Sequence, residues 1–133
     1  MKYFAYGSNL SQRQMEQRCP TARRLFSARL PNYALIFTAA SRTHAGGTAT
    51  IRLQKGSQVP GGVYEIDDRC LRALDRYEGY PVEYDRMNVI VFNDFGDAIE
   101  AVTYYKKGRA PEAPPSEEYV KVIREGYRDW GLV

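Results

Sequence analysis

The chain has 133 residues, of which 44% are hydrophobic and 26% are charged, with a formal net charge of +3. This is the size and composition of one globular domain with its own hydrophobic core, and it excludes a disordered or collagen-like chain. The mild positive charge does not by itself indicate nucleic-acid binding, because Glu16 interrupts the arginine-rich stretch 13–29 and no nucleic-acid motif accompanies it.

Residues that bind metals or form disulfides are few. Cys19 and Cys70 are the two cysteines and His44 is the single histidine. We therefore expect no metal site, no cofactor, and two reduced, partly buried thiols.

The first residues do not resemble a signal peptide, and the stretch LPNYALIFTAAS is too short to cross a bilayer. The sequence predicts a cytoplasmic protein.

The first half of the chain predicts mainly strands. Lys2–Tyr6 has the pattern of a short strand, and the polar stretch SQRQMEQR predicts a short helix capped by Asn9 or Ser11. RRLFSARLP and NYALIFTAA predict two strands separated at Pro31-Asn32. After the loop SRTHAGG, TATIRL and GGVYEI predict two further strands on either side of a turn at 54–60.

The second half predicts two helices and a hairpin. DDRCLRALDRYEG predicts a helix that begins after Asp67 or Asp68 and ends at Gly79 in the left-handed conformation. YDRMNVIVF and IEAVTYYK predict a hairpin across NDFGDA, and the extended GRAPEAPP leads to a last helix capped by Ser116. About seven strands and about three helices indicate an α+β fold with a curled, largely antiparallel mixed sheet or a small barrel. No linker or repeat divides residues 1–133, so we expect a single domain.

The stretch YFAYGSNLS places Gly-Ser-Asn directly after an apolar strand and before a helix. Such a turn exposes backbone N–H groups, and Gly7 allows a ligand to approach the backbone closely. The positive end of the helix dipole adds to the site, so we interpret the turn as a cradle for a carboxylate or an oxyanion. The alternative is an ordinary strand-to-helix turn with a capping Asn.

Glu78, in the stretch LDRYEGYPVEYDR, is the candidate for proton transfer. It precedes the helix-ending Gly79, where the helix dipole disfavours an anion, and Tyr77 and Tyr80 flank it. Both features oppose ionisation and predict a raised pKa, which suits proton transfer near neutral pH. The alternative is a surface Glu that happens to precede a C-cap glycine. No Ser-His-Asp set, P-loop or dinucleotide-binding motif competes with it.

Several stretches carry a resemblance: YFAYGSNL, HAGGTATI, GGVYEI, LDRYEGY, EYDR and APPSEEYVKVIREGYRDWGL occur in that order. Together they resemble the γ-glutamylcyclotransferase family, whose members share a strand-end YGSN, a catalytic Glu followed by Gly, and a late PPS-x-x-Y helix. The resemblance runs over nearly the whole chain. One departure is His44-Ala45, where the family has an aromatic residue followed by His, and it bears on substrate choice more than on chemistry.

The resemblance implies roles for individual residues. It makes Glu78 the catalytic residue. It implies that the glycine-serine turn holds the substrate through backbone N–H groups, a role that falls on Tyr6, Gly7, Ser8, Asn9 and Leu10. It adds three substrate-binding tyrosines, which are Tyr84, Tyr104 and Tyr119.

The activity that the resemblance implies is cyclisation of a γ-glutamyl group to 5-oxoproline with release of an amino acid or amine, without a cofactor. The partner is then a small-molecule γ-glutamyl substrate, and we expect no nucleic acid, no membrane, and a monomer or homodimer. Three alternatives remain: a cyclotransferase for γ-glutamylamines or a pathway-specific intermediate, a binding module that has lost turnover, and an RNA-binding domain. The last would require strongly salt-dependent binding.

Overall fold

The structure, a computed structural model, describes residues 1–39 and 46–133. Five strands close into a barrel in the order β1-β3-β2-β4-β5, and three helices pack outside it. The strands are β1 (Lys2–Ala5), β2 (Arg23–Ala39), β3 (Gly47–Glu65), β4 (Asp85–Asn93) and β5 (Ala98–Tyr105). The helices are α1 (Gln12–Arg18), α2 (Asp68–Glu78) and α3 (Glu117–Asp129), and a short 3-10 turn covers Ser8–Leu10. The predicted α+β barrel with three helices is confirmed.

The sheet is mixed, as expected. β3 pairs antiparallel with both β1 and β2, and β4 pairs antiparallel with β2 and β5. A parallel pairing of β1 with β5, at Tyr3 and Val102, closes the barrel. The predicted hairpin of β4 and β5 is confirmed, with Asp85 opposite Tyr105 and Phe92 opposite Ala98.

The expected number of strands was too high because the two predicted breaks face each other in one irregular stretch of the β2–β3 pairing. β2 continues through Pro31, which stays opposite Gln58. The register then shifts around Asn32, whose positive φ of 66° lets the chain bulge while its side chain accepts a hydrogen bond from the Gly56 N–H at 3.2 Å. The predicted turn at 54–60 therefore lies inside β3. Asn32 alone lies opposite residues 54–57, and this irregularity ends neither strand.

The helix ends follow local sequence signals. Ser11 is the N-cap of α1, Asp67 that of α2 and Ser116 that of α3, and each side chain accepts a hydrogen bond from a backbone N–H in the first turn. Gly79 ends α2 with φ at 70°, a left-handed conformation that glycine adopts without a steric penalty. Gly79 thus sets where α2 ends and, with it, the position of Glu78, the last residue of the helix.

The hydrophobic core has two parts because successive side chains of β1 point to opposite faces of the sheet. Phe4 and Tyr6 point into the barrel, while Tyr3 and Ala5 point out toward the helices. The barrel interior contains Phe4, Tyr6, Ala28, Leu30, Ile51, Val59, Val63, Val89, Val91 and Ala101. The layer between barrel and helices contains Tyr3, Ala5, Leu10, Met15, Cys19, Tyr64, Ile66, Cys70, Leu74, Tyr104 and Trp130.

The glycines of the HAGGTATI stretch are needed for a close chain crossing. The N–H of Gly47 donates to the Pro114 carbonyl at 2.9 Å, and a Cβ on Gly47 would lie 2.1 Å from the Ala113 carbonyl oxygen. Two separate sequence motifs, GGTATI and APPS, thus pack directly on each other. The predicted loop 41–47 lies mostly outside the described residues, as do His44 and Ala45.

The expectation of two reduced thiols is wrong. Cys19 and Cys70 form a disulfide, with a Cα–Cα distance of 5.3 Å, which joins the end of α1 to the first turn of α2. Among the described residues, no helix is long and apolar enough to cross a membrane.

Candidate active site

A cavity of about 460 Å³ lies where the barrel end meets the helices. This volume falls in the range of small-molecule sites. The turn after β1, the last turn of α2 and the first turn of α3 contribute its walls. Of the residues predicted from the sequence, those that line the cavity are Tyr6, Gly7, Ser8, Asn9, Glu78, Tyr84, Tyr104 and Tyr119.

The turn after β1 lines the cavity with Gly7, Ser8 and Asn9. Ser8 and Asn9 are the first two residues of the 3-10 turn. The first hydrogen bond inside the turn is donated by the Leu10 N–H to the Gly7 carbonyl at 3.1 Å, so the N–H groups of Ser8 and Asn9 have no acceptor within the turn. A Cβ at Gly7 would lie 3.3 Å from the Ala49 Cβ and 3.8 Å from the Tyr119 hydroxyl oxygen. A side chain at residue 7 would therefore press on Ala49 and occupy space next to the Tyr119 hydroxyl.

Leu10 and the side chain of Asn9 contact other parts of the protein and stabilise the turn. Leu10 is fully buried in the layer under the helices and is not part of the cavity lining. The Asn9 amide donates to the Tyr3 hydroxyl at 2.9 Å, its amide oxygen accepts from Arg18, and its carbonyl accepts from Tyr64 at 2.9 Å. These bonds hold the turn rigid, so a ligand would meet a preformed backbone.

Glu78 is the last residue of α2 and lines the cavity. In the described part of the chain, no donor forms a hydrogen bond or ion pair with its carboxyl group. Burial raises its pKa to about 7 from 4.5, and the nearby cations of Arg18 and Lys106 offset part of that rise. The expected upward shift is found, and it places half-ionisation of this carboxyl near neutral pH.

Tyrosines from other elements, rather than the two flanking ones, surround Glu78. Tyr77 is 48% exposed, and Tyr80 lies under the Arg86 guanidinium, 4.3 Å from the ring centroid. The tyrosines near enough for the Glu78 charge to act on them are Tyr3, Tyr6, Tyr84, Tyr104 and Tyr119. Burial, together with that charge, raises the pKa of all five, that of Tyr119 to about 12, so their hydroxyls stay neutral.

Ala49, in the GGTATI stretch, connects two of these tyrosines. Its N–H donates to the Tyr119 hydroxyl at 3.0 Å, and its carbonyl accepts from the Tyr84 hydroxyl at 2.7 Å. The Tyr6 hydroxyl similarly donates to the Tyr104 carbonyl at 2.6 Å. The predicted tyrosines therefore form a hydrogen-bonded wall that spans β3, β5 and α3.

Tyr104 is oriented by an ion pair behind the cavity. Its hydroxyl donates to Asp75 at 2.7 Å, and the same carboxylate accepts from Arg86 at 2.6 and 2.8 Å. With its hydrogen directed at Asp75, the Tyr104 oxygen can only accept a hydrogen bond from a ligand.

Sequence reasoning missed further residues of the site, among them Tyr3, Glu83 and Arg18. Tyr3 and Glu83 line the cavity, and Arg18 contacts the turn from α1. Tyr3 alternates with Phe4 along β1, a signal for the outward face of the strand but not for a cavity. Among the described residues, no group of three His, Cys, Asp or Glu side chains is placed to hold a metal ion.

Comparison with known proteins places this geometry in a family. The sequence model described as "Gamma-glutamyl cyclotransferase, AIG2-like" matches residues 3–128. Gamma-glutamylcyclotransferase of Homo sapiens is 36% identical over 135 residues, which cover 98% of this chain and 71% of the human protein, and that of Bos taurus matches equally. A solved structure titled "Gamma-glutamyl cyclotransferase" superposes with a TM-score of 0.93 at 34% identity, covering 99% of this chain and 80% of that one. The chain therefore belongs to the gamma-glutamyl cyclotransferase, AIG2-like family.

Proposed function

We propose that this protein is a γ-glutamylcyclotransferase in which Glu78 transfers the protons. The observation that carries the proposal is a carboxyl group at the end of α2 that faces a cavity, has no donor of its own among the described residues, and has a pKa raised to about 7. The identity to curated members of the family over 98% of the chain supports the activity.

The reaction needs no nucleophile from the protein. The substrate's α-amine attacks its own γ-carbonyl carbon, the amide C–N bond breaks, and 5-oxoproline and a free amine form. The α-amine is protonated at neutral pH, so the Glu78 carboxylate first accepts a proton from the ammonium. It then donates a proton to the leaving nitrogen, and one residue serves as base and acid in sequence. A pKa near 7 suits both steps.

Binding must fold a flexible γ-glutamyl chain into a ring-closing geometry. Such positioning contributes ~7–11 kcal/mol in favourable cases. The backbone N–H groups of Ser8 and Asn9 are suited to the α-carboxylate or to the developing oxyanion. Tyr104, limited to accepting by its bond to Asp75, is suited to the substrate ammonium. In this proposal Tyr6, Tyr84 and Tyr119 shape the wall that excludes water.

The test is release of 5-oxoproline from a panel of γ-glutamyl compounds. The panel pairs each γ-glutamyl amino acid with the γ-glutamylamine of the same side chain, because this separates the proposed function from the γ-glutamylamine alternative. Turnover of at least one compound with stoichiometric 5-oxoproline supports the proposal. Tight binding of the panel without any product would instead favour a binding module.

Three further properties belong to the proposal. Residues 1–133 form one domain of this kind, acting as a monomer or homodimer. The reaction proceeds without metal or organic cofactor, so activity persists in a chelator. The protein acts in the cytoplasm on a small molecule, without nucleic acid or membrane. Cell fractionation tests the location, and recovery of the protein in an oxidising compartment, where a disulfide such as Cys19–Cys70 persists, would contradict it.

A further inference from the structure

Arg18 joins two parts of the site that are far apart in sequence. It is the last residue of α1. Its guanidinium donates to the side chains of Asn9 and, at 3.4 Å, Ser8, both in the turn after β1. The same group lies 3.2 Å from the centroid of the Tyr77 ring, in the last turn of α2. Arg18 therefore contacts both the backbone turn and the helix end that carries Glu78.

The guanidinium has no carboxylate partner within ion-pair distance among the described residues, although it is partly buried. Burial lowers its pKa, and the Glu78 carboxylate acts in the opposite direction. A partly buried cation without a carboxylate partner costs free energy unless an anion lies near it. The carboxylate that acts on it most strongly is Glu78, which lines the cavity.

The charged and titratable groups that face Glu78 come from several elements. The cations that act on it are Arg18 on α1 and Lys106 after β5, and the neutral tyrosines are Tyr3, Tyr6, Tyr84, Tyr104 and Tyr119. Arg76, Glu83 and Glu118 are the other charged side chains that line the same cavity. Lys106 is committed elsewhere, since its ammonium donates to the Thr38 hydroxyl at 3.0 Å and to two carbonyls at the end of β2. This leaves Arg18 as the principal counter-charge.

We propose that Arg18 is a positioning residue that holds the Ser8–Asn9 turn against the end of α2 and serves as the counter-charge of the Glu78 carboxylate. The inference rests on the proposed function of Glu78. Arg18 is not itself part of the cavity lining and acts through Ser8, Asn9 and Tyr77, which are. Its contact with Asn9 also fixes the Asn9 amide that donates to Tyr3.

Arg18→Met tests the charge. It removes the cation and keeps an unbranched side chain. The readouts are the pH dependence of kcat/KM and a ¹³C NMR titration of the Glu78 carboxyl, assigned by its disappearance in Glu78→Gln. Loss of a nearby opposite charge raises a carboxyl pKa, so both midpoints should move up by about one pH unit. A substitution that only loosened the fold would lower the amplitude without moving the midpoint.

Arg13→Met is the matched control. Arg13 lies on the same helix but is exposed and pairs with Glu125 at 3.1 Å, away from the cavity. This variant should keep the wild-type midpoints. Arg18→Lys keeps the charge but loses the planar guanidinium that stacks on Tyr77 and donates to both Ser8 and Asn9. It should restore the Glu78 midpoint while KM stays raised severalfold.

If Arg18→Met does not fold, Arg18→Lys and Tyr77→Leu still decide the question. A raised KM with an unchanged Glu78 midpoint in these two variants supports the positioning role, and wild-type KM in both overturns it. A folded Arg18→Met protein with unchanged midpoint and KM also overturns it. If wild type releases no 5-oxoproline, the proposed function fails, whereas the NMR titration in Arg18→Met still supports or contradicts the counter-charge.

Discussion

Asp75 and Glu78 lie one turn apart on α2, and their surroundings differ in the number of donors. Asp75 accepts hydrogen bonds from Arg86 at 2.6 and 2.8 Å and from Tyr104 at 2.7 Å. Glu78 has no such donor in the described part of the chain, and burial raises its pKa to about 7. The same chemical group on the same helix thus has a structural role at one position and is suited to proton transfer at the other. Environment separates the roles of two carboxylates in this way.

The largest expected effect is the loss of activity in Glu78→Gln. The amide keeps the shape of the side chain and cannot accept the ammonium proton, so kcat/KM should fall by ~10²–10⁴-fold, the usual contribution of a general base. Steady-state kinetics of 5-oxoproline release measure it, with circular dichroism to confirm folding. A folded variant within a few-fold of wild type would remove Glu78 from the mechanism.

The same substitution should make the protein more stable at high pH. Below pH 4.5 the carboxyl is protonated in both the folded and unfolded chain, so the variant and wild type differ little. Between pH 4.5 and 7 only the unfolded chain ionises, which favours unfolding of wild type. Above pH 7 the penalty is complete, up to about 3.5 kcal/mol, since each pKa unit corresponds to about 1.4 kcal/mol.

Denaturant unfolding of both proteins at pH 4 and pH 8 measures this difference. The stability advantage of Glu78→Gln should be present at pH 8 and absent at pH 4. An equal difference at the two pH values would mean that the Glu78 carboxyl does not titrate with a raised pKa in the folded protein.

Asp75→Asn should lower the stability of the protein more than its activity, the reverse of Glu78→Gln. It removes the charge that Arg86 and Tyr104 contact, and hydrogen bonds to charged groups contribute about 1.5–3 kcal/mol each. We expect the free energy of unfolding to fall by about 2 kcal/mol, with a smaller loss of kcat at a temperature where the protein stays folded. A loss of activity as large as that of Glu78→Gln, without loss of stability, would break the distinction between the two carboxylates.

The smallest expected effect tests the opposite wall of the cavity. Gly7→Val adds a branched side chain where the Cβ alone would lie 3.3 Å from Ala49 and 3.8 Å from the Tyr119 hydroxyl. KM should rise by about tenfold, or ~1.4 kcal/mol of binding free energy, while Gly7→Ala gives an intermediate value. Equal KM values in wild type, Gly7→Ala and Gly7→Val would show that the Gly-Ser-Asn turn does not bind the substrate.

The sequence predicted those features that depend on neighbouring residues. Ser116 and Gly79 bound their helices through contacts within one turn, and the β4–β5 hairpin closes over a short loop, so local patterns suffice. The end of α2 then followed, and with it the position and raised pKa of Glu78.

Features that depend on distant residues were missed. β2 continues through Pro31, and next to it the Asn32 side chain accepts a hydrogen bond from the Gly56 N–H on β3. No local pattern indicates this contact. The cysteines of the disulfide are 51 residues apart. Arg18 contacts the turn after β1 on one side and Tyr77 on the other. Such pairings appear only when the barrel and helices are assembled.

The pH dependence of kcat/KM for the wild-type protein tests the central claim most directly. If the Glu78 carboxylate accepts the substrate's proton and its pKa is raised to about 7, activity should rise with pH through a midpoint near 7, and Glu78→Gln should lack this acidic limb. Activity that stays constant down to pH 5, or a limb near pH 4.5, would show a carboxyl with ordinary ionisation and contradict the account.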